Sequence, residues 1–324
     1  AEVIFVHARE SLGNQAEAQL GCIHFLAPDV LVASAPVTDL LMVDEAAAIP
    51  APLLEAMLKR HSRIVFATTV HGYEGTGRGF AVRFRKTLDA ITPQWRELRM
   101  EEPIRWRSGD PVEAFVFQAL LLNAAPCHGR ELAGITPEQC HFRPLSRMEL
   151  LSHEALLNEL FGLLVLAHYQ TRPFDLRHLL DGGNIEVYGL FFRSRLVGTV
   201  LAAREGDIDD GLREAILLGQ RRVKGHLLPQ TLSHHLGIRD SVALQGLRII
   251  RIAVHPQSQG MGLGKKMMAS IRDQCVSGGM DYLGTLFGAT EELLAFWHQV
   301  GMVPVRIGVT REAASGAHSV LMLH

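Results

Sequence analysis

The sequence predicts an α/β chain in two parts, an incomplete parallel sheet followed by a mixed α/β domain. Three observations carry this reading. Up to residue 122, short apolar runs alternate with amphipathic helical stretches, the pattern of buried strands and crossover helices. A polar stretch with proline and glycine, residues 123–144, then breaks the alternation and marks a domain boundary. From Ile185 the pattern becomes a hairpin, then a strand that runs through a glycine-rich turn into a helix.

The elements follow in order. Residues 2–6 predict a strand, 11–20 a helix, 23–26 a short strand and 39–43 an apolar strand ending in Asp44-Glu45. Pro50 opens a helix to Lys59, proline being well placed in a first turn. Residues 63–69 read as a strand, 71–79 as a glycine-rich loop, 80–89 and 111–122 as helices. The first domain is therefore set at residues 1–122, a connector at 123–148 and the second domain at 149–324. In the latter, one long helix is expected over 149–169 and a short one over 173–180. Strands at 185–192 and 196–203 form the hairpin, with its turn at 193–195. Helices at 210–218 and 228–236, a strand at 247–254, a helix at 260–275, a strand at 282–287 and a helix at 291–300 follow. Strands at 302–307 and 319–323 close the pattern.

Composition bounds the function. The 324 residues, 48% of them hydrophobic, suffice for two cores, and the 6% aromatic content leaves aliphatic side chains to fill them. No apolar run is long enough to span a bilayer and no signal peptide opens the chain, so no membrane partner is expected. A net charge of −2 excludes a dedicated nucleic-acid coat protein. Four scattered cysteines without a CxxC pair fit a reduced, cytoplasmic protein. Cys127-His128 and Cys140-His141 carry zinc-type donors, but adjacent residues are too tightly spaced for the usual chelate, and no metal is expected there. The pattern assigns no oligomeric state.

The strongest chemical signal is RIAVHPQSQGMGLGK, residues 251–265. Here a buried strand enters a glycine-rich turn and then a helix, which aims backbone N–H groups and the positive helix end at one spot. Glycines let a diphosphate approach the backbone, and Lys265 adds a cation. A pyrophosphate-bearing acyl carrier, acetyl-CoA, is the expected ligand. A second signal is the strand end Asp44-Glu45, which in nucleoside triphosphatases places acids near Mg2+ and the attacking water. The next strand ends in TTVHGYEGTGRGF, residues 68–80, on the edge where open parallel sheets bind ligands. The triphosphate loop GxxxxGKS/T is absent.

Gln-x-x-Gly-x-Gly is the form of the acetyl-CoA loop of the GNAT superfamily, and EELLAFWHQVGM, residues 291–302, resembles that superfamily's next helix. With DEAAAIP (44–50), TTVHGYEGTGRGF, EPIRW (102–106), HYQTRPFDLR (168–177), QRRVKG (220–225) and REAASG (311–316) in this order, the chain resembles the bacterial tRNA(Met) cytidine acetyltransferases. That family joins a RecA-like helicase module to a GNAT domain and acetylates the wobble cytidine of elongator tRNA(Met), using acetyl-CoA and ATP with Mg2+. The resemblance implies a partial RecA-like sheet, a GNAT-type domain and a chain read as a piece lacking the family's triphosphate loop. It implies that Ile252, Ala253 and Val254 hold the acyl arm through backbone hydrogen bonds. Gln259, Gly260, Met261, Gly262, Leu263, Gly264 and Lys265 would cradle the pyrophosphate, with an N–H near Val254 stabilising the oxyanion. Asp44, Glu45 and Arg105 would meet ATP.

A cytosine amine is a poor nucleophile, so its proton must be removed as the bond forms. His255 and His298 are the candidate bases, and Glu292 a candidate for contacting the CoA or the amine. Arg221, Arg222 and Lys224, with Arg193 and Arg195 at the hairpin tip, are expected at RNA phosphates; His234-His235 reads as plain surface. Two other readings stand beside this one: a protein or small-amine N-acetyltransferase on the same core, and an inactive piece that binds CoA or RNA.

Overall fold

The computed structural model describes residues 3–7, 22–69, 77–104, 106–167, 173–311 and 317–324. The chain divides into two compact units, in the main residues 1–122 and 123–324. The expected helix at 11–20 and most of the loop at 71–79 lie outside the described residues.

The first unit is α/β. Its strands are β1 (Val3–His7), β2 (Cys22–Leu26), β3 (Leu40–Val43) and β4 (Ile64–Phe66), in the order β2-β1-β3-β4. Among the described residues only β3 and β4 run parallel; β1 is antiparallel to both of its neighbours. The helices are α1 (Pro28–Ser34), α2 (Ala51–Arg60), α3 (Gly77–Ile91) and α4 (Pro111–Ala119). Leu31, Leu41, Val43, Ile49, Leu54, Met57 and Phe84 form the core. Met42 and Val65, on the other face of β3 and β4, stay exposed at 37% and 47%, so these strands are buried on one face although their composition reads as buried on two. α4 starts where Asp110 accepts from the N–H groups of Val112 and Glu113 and Pro111 takes the first position.

The second unit is built on a seven-stranded sheet. Its strands are β5 (Cys140–Leu145), β6 (Ile185–Phe192), β7 (Arg195–Gly206), β8 (Gln245–Val254), β9 (Tyr282–Gly288), β10 (Val303–Arg311) and β11 (His318–Leu323), ordered β10-β11-β9-β8-β7-β6-β5. Every pair is antiparallel except β8 with β9. The helices are α5 (Arg147–Ser152), α6 (Glu154–Ala167), α7 (Pro173–Asp181), α8 (Arg213–Leu217), α9 (Leu227–Leu236), α10 (Leu263–Ser277) and α11 (Glu291–Gln299). Leu190, Phe192, Val200, Leu247, Ile249, Met267, Ile271 and Trp297 lie in the main core.

Two expectations are corrected. Residues 123–148 are not a connector. β5 is the edge strand of the second sheet, and Cys127, Leu132, Ile135 and Cys140 lie in its core. Their apolar side chains fall between prolines and glycines, which hides the pattern. The packing is close: a Cβ at Gly162 of α6 would stand 2.4 Å from the carbonyl carbon of Ala125, so only glycine fits there. The helix expected over 149–169 is in fact two. Ser146 caps α5 through the N–H of Glu149, and His153 leaves helical geometry at φ −125°, ψ 79° before α6 begins.

Candidate acyl-donor site

The site begins where β8 and β9 part. Their parallel ladder runs from Gly246 with Tyr282 to Ile249 with Thr285 and stops there. On its other edge β8 skips a residue: Leu201 faces Arg251 and Ala202 faces Ile249, leaving Ile250 as a bulge. A bulge bends its strand and increases the local twist, so the end of β8 swings away from β9. Beyond the bulge β8 keeps pairing with β7, with Thr199 opposite Ala253 and His255 N donating to Val197 O at 2.8 Å. Backbone groups alternate in direction along a strand. Ala253 therefore spends its N–H and C=O on β7, while Ile252 and Val254 turn theirs toward the gap. The Gln259 side chain caps Val254 O at 3.3 Å. Of the three strand residues expected to hold an acyl arm, Ile252 and the N–H of Val254 are free to do so and Ala253 is not.

The glycine turn follows. Gly260 and Gly262 adopt φ +78° and +85°, a left-handed region that favours glycine. α10 starts at Leu263 with Gly262 as its N-cap, and the first amide bonded back into the helix is Lys266 N to Gly262 O, 3.1 Å. The N–H groups of Leu263, Gly264 and Lys265 thus have no partner within the helix and face an anion's natural position. Met261 and Lys265 are exposed, Leu263 is buried, and a Cβ on Gly264 would lie 3.1 Å from Phe296 of α11. Ser258 Oγ is buried without a hydrogen-bond partner in the same turn. Unpaired strand amides, a glycine turn, free helix-end amides and an orphan hydroxyl are together the donor set a thioester carrier with a pyrophosphate needs.

Gln-x-x-Gly-x-Gly fits the sequence in two frames, from Gln257 and from Gln259. The structure selects Gln259, because that frame puts its last two glycines at the cap and first turn of α10. Gln257 instead lies against residue 129, where an added Cβ would fall 1.3 Å from its Oε1.

His255 is corrected as a candidate base. Its ring is buried; Nδ1 accepts from Gln257 N at 3.3 Å, so Nε2 carries the proton and donates to Cys127 O at 3.0 Å. Neither nitrogen is left for a substrate. His255 fastens the turn to the segment after residue 123, as Lys266 Nζ does by donating to Pro137 O. Glu292 and His298 lie in the first and last turns of α11 with exposed side chains, while Trp297 between them is buried against Phe287.

Cys127 and Cys140 donate to the carbonyls of Leu196 and Thr136. Burial pushes the Cys127 thiol up to about 11, the charges of Glu159 and Glu131 adding to the shift. No group of three or more His, Cys, Asp or Glu suited to a metal occurs among the described residues.

Arg195 is also corrected. It opens β7 after the turn Arg193-Ser194 and pairs with Glu131 and Glu159, so its charge is compensated within the unit. Arg193 is exposed, its guanidinium 4.8 Å from the Phe192 ring. Arg221, Arg222 and Lys224 are exposed on the loop before α9. In the first unit, Asp44 is exposed at the end of β3, Glu45 follows at φ +46°, and Ala47 N reaches Thr68 Oγ1 at 3.4 Å, which sets the ends of β3 and β4 side by side. Arg105 lies outside the described residues.

Two family models match the chain. A family model described as RNA cytidine acetyltransferase NAT10/TcmA, helicase domain, matches residues 5–123. A second, GNAT acetyltransferase 2, matches residues 159–278 and 273–324. The chain is 51% identical to the tRNA(Met) cytidine acetyltransferase TmcA of Nitrosococcus halophilus, over 100% of this chain and 44% of that protein. It is 42% identical to the protein of that name from Vibrio cholerae, over 99% and 46%, and 43% identical to the one from Haloferax volcanii, over 93% and 40%. The chain thus spans less than half the length of these relatives. No helix among the described residues is long and apolar enough to cross a membrane.

Proposed function

The chain belongs to the GNAT acetyltransferase 2 family, and from that premise we propose that it moves an acetyl group from acetyl-CoA to the exocyclic amine of an RNA cytidine. The observation that carries this reading is the parting of β8 from β9 directly before the glycine turn. Acetyl-CoA supplies the thioester. Ile252 and Val254 would hold the arm by backbone bonds, and either N–H would donate to the thioester oxygen as charge develops on it. The amides of Leu263, Gly264 and Lys265 would receive the pyrophosphate, with Gln259 keeping the turn against the strand.

The amine's lone pair is delocalised into the pyrimidine ring, so the site must orient it and accept its proton. Glu292 and His298 are the two proposed residues with exposed side chains, and either would take that proton; His255 would not. The relatives are named for tRNA(Met), and we extend this to the chain: the acceptor is the wobble cytidine of elongator tRNA(Met), its phosphates met by Arg221, Arg222 and Lys224, with Arg193 as a further contact. ATP and Mg2+ would meet the first unit at Asp44, Glu45 and Arg105.

The test is transfer of label. The chain is incubated with radiolabelled acetyl-CoA, ATP and tRNA(Met), and the RNA is digested to nucleosides. Label in acetylcytidine is expected. Label on protein or small amines instead would overturn the choice of acceptor, and failure to bind acetyl-CoA would overturn the site.

A further inference from the structure

The loop between α8 and α9 is held on both sides. Gln230 of α9 accepts from Val223 N at 2.7 Å and donates to Val223 O at 2.8 Å. Asn184 donates to Gly225 O at 3.0 Å. Arg221, Arg222 and Lys224 are therefore presented on a fixed backbone with exposed side chains. The acids of the adjoining elements, Asp210, Glu214 and Asp240, are already paired with Arg213 and Arg239.

Next to this loop stand two imidazoles. His234 and His235, in the last turn of α9, are exposed, with ring centroids 4.6 Å apart. His234 Nδ1 donates to Leu217 O at 3.0 Å, which fixes its ring at the loop's start. β10 adds a third element: Val305 packs on the cluster of Leu228 and Leu232 from α9, and Arg306 follows it in the strand. Burial, then the charges of Arg306, His234 and Arg222, push the His235 pKa below its ordinary value. Arg306 and Arg222 thus both lie within electrostatic reach of the His235 ring.

We propose that Arg222, Arg306 and the His234–His235 pair form a platform for single-stranded RNA, the guanidinium groups taking phosphates and an imidazole face taking an unstacked base. It rests on the RNA-acetylating reading above and names where that RNA lies. A guanidinium matches phosphate geometry. A flat ring beside cations is the combination that binds single strands through stacking and charge. A merely solvated basic patch has no use for the ring pair and gains nothing from being clamped.

The test measures affinity of the full chain for a short unstructured RNA strand and for a duplex of equal length, by fluorescence anisotropy across a salt series. Acetyl-CoA affinity serves as the folding control. His235→Ala is expected to weaken the single strand roughly tenfold and leave the duplex within about twofold, and His235→Phe is expected to restore the single strand. Arg306→Ala is expected to lower the slope of log affinity against log salt by about 0.7. Wild-type affinity in both alanine variants, or equal loss on strand and duplex, would overturn the platform. If those variants still acetylate tRNA with unchanged KM, the platform falls and the acetyl-transfer reading stands. If the wild-type chain binds acetyl-CoA but neither binds nor acetylates RNA, both fall.

Discussion

Replacing His255 by alanine separates a positioning role from a chemical one. The ring joins two backbone groups, accepting from Gln257 N at 3.3 Å and donating to Cys127 O at 3.0 Å, and it is 4% exposed. Alanine removes both partners. A buried polar group left unpaired costs about 1–3 kcal/mol. The Cys127 carbonyl is the more enclosed of the two and the Gln257 amide has some access to water, so the sum is set near 3 kcal/mol, large for a single substitution. The lost bonds also release the turn that carries Gln259, Gly260 and Gly262. Acetyl-CoA should then bind roughly tenfold more weakly, the cost of ordering a loop that was ordered before. Urea denaturation gives the first quantity and calorimetric titration of acetyl-CoA the second. A general base behaves in the opposite way: its removal lowers kcat by about 10²–10⁴ and leaves cofactor affinity and stability in place. That second pattern would refute the assignment of His255 as a fastener.

Three further outcomes are expected. Gly260→Ala and Gly262→Ala place a side chain at positive φ where an added Cβ meets nothing nearer than 3.6 Å, so each should cost about 1–2 kcal/mol of backbone strain without a clash; a thermal melt unchanged in both would contradict the loop geometry. Arg143 binds Glu149 through its two terminal guanidinium nitrogens, at 2.5 and 2.9 Å, and this holds the Glu149 carboxyl below its usual range. A depressed carboxylate stabilises the fold above its unfolded pKa and stops doing so as pH falls through its folded value. Arg143→Ala should therefore lower the melting temperature at pH 7 and cease to matter in strong acid; an equal loss at both pH values would be the contrary result. Burial lifts the thiols of Cys127 and Cys275 to about 11 and raises that of Cys140, so all three should resist alkylation in the native chain and react on unfolding, as peptide mapping would show.

Much of the donor site is legible in the order of residues. A strand, a glycine turn and a helix in immediate succession leave little freedom, because glycine alone tolerates the left-handed turn and a helix start leaves its amides unpaired. The strand limits after Ile185 are legible for a related reason: turn residues such as Arg193-Ser194 interrupt long apolar runs. Residues 123–148 are not legible, because their buried side chains are spaced by prolines and glycines and pair with a strand some 45 residues onward. The role of His255 is equally hidden, since its second partner, Cys127, is 128 residues away. Arg195 and Arg222 look alike in the sequence, yet one is neutralised by Glu131 and Glu159 and the other stands exposed within electrostatic reach of His235. By itself the sequence determined the class of fold and the succession of strand, glycine turn and helix at the proposed donor site, because both depend on local backbone chemistry. Only the tertiary structure decided which strand amides face the gap, which glutamine frame caps the turn, which histidine is spent on the backbone and which arginines remain free. Those are outcomes of pairing between residues far apart in the chain, and local pattern carries no record of them.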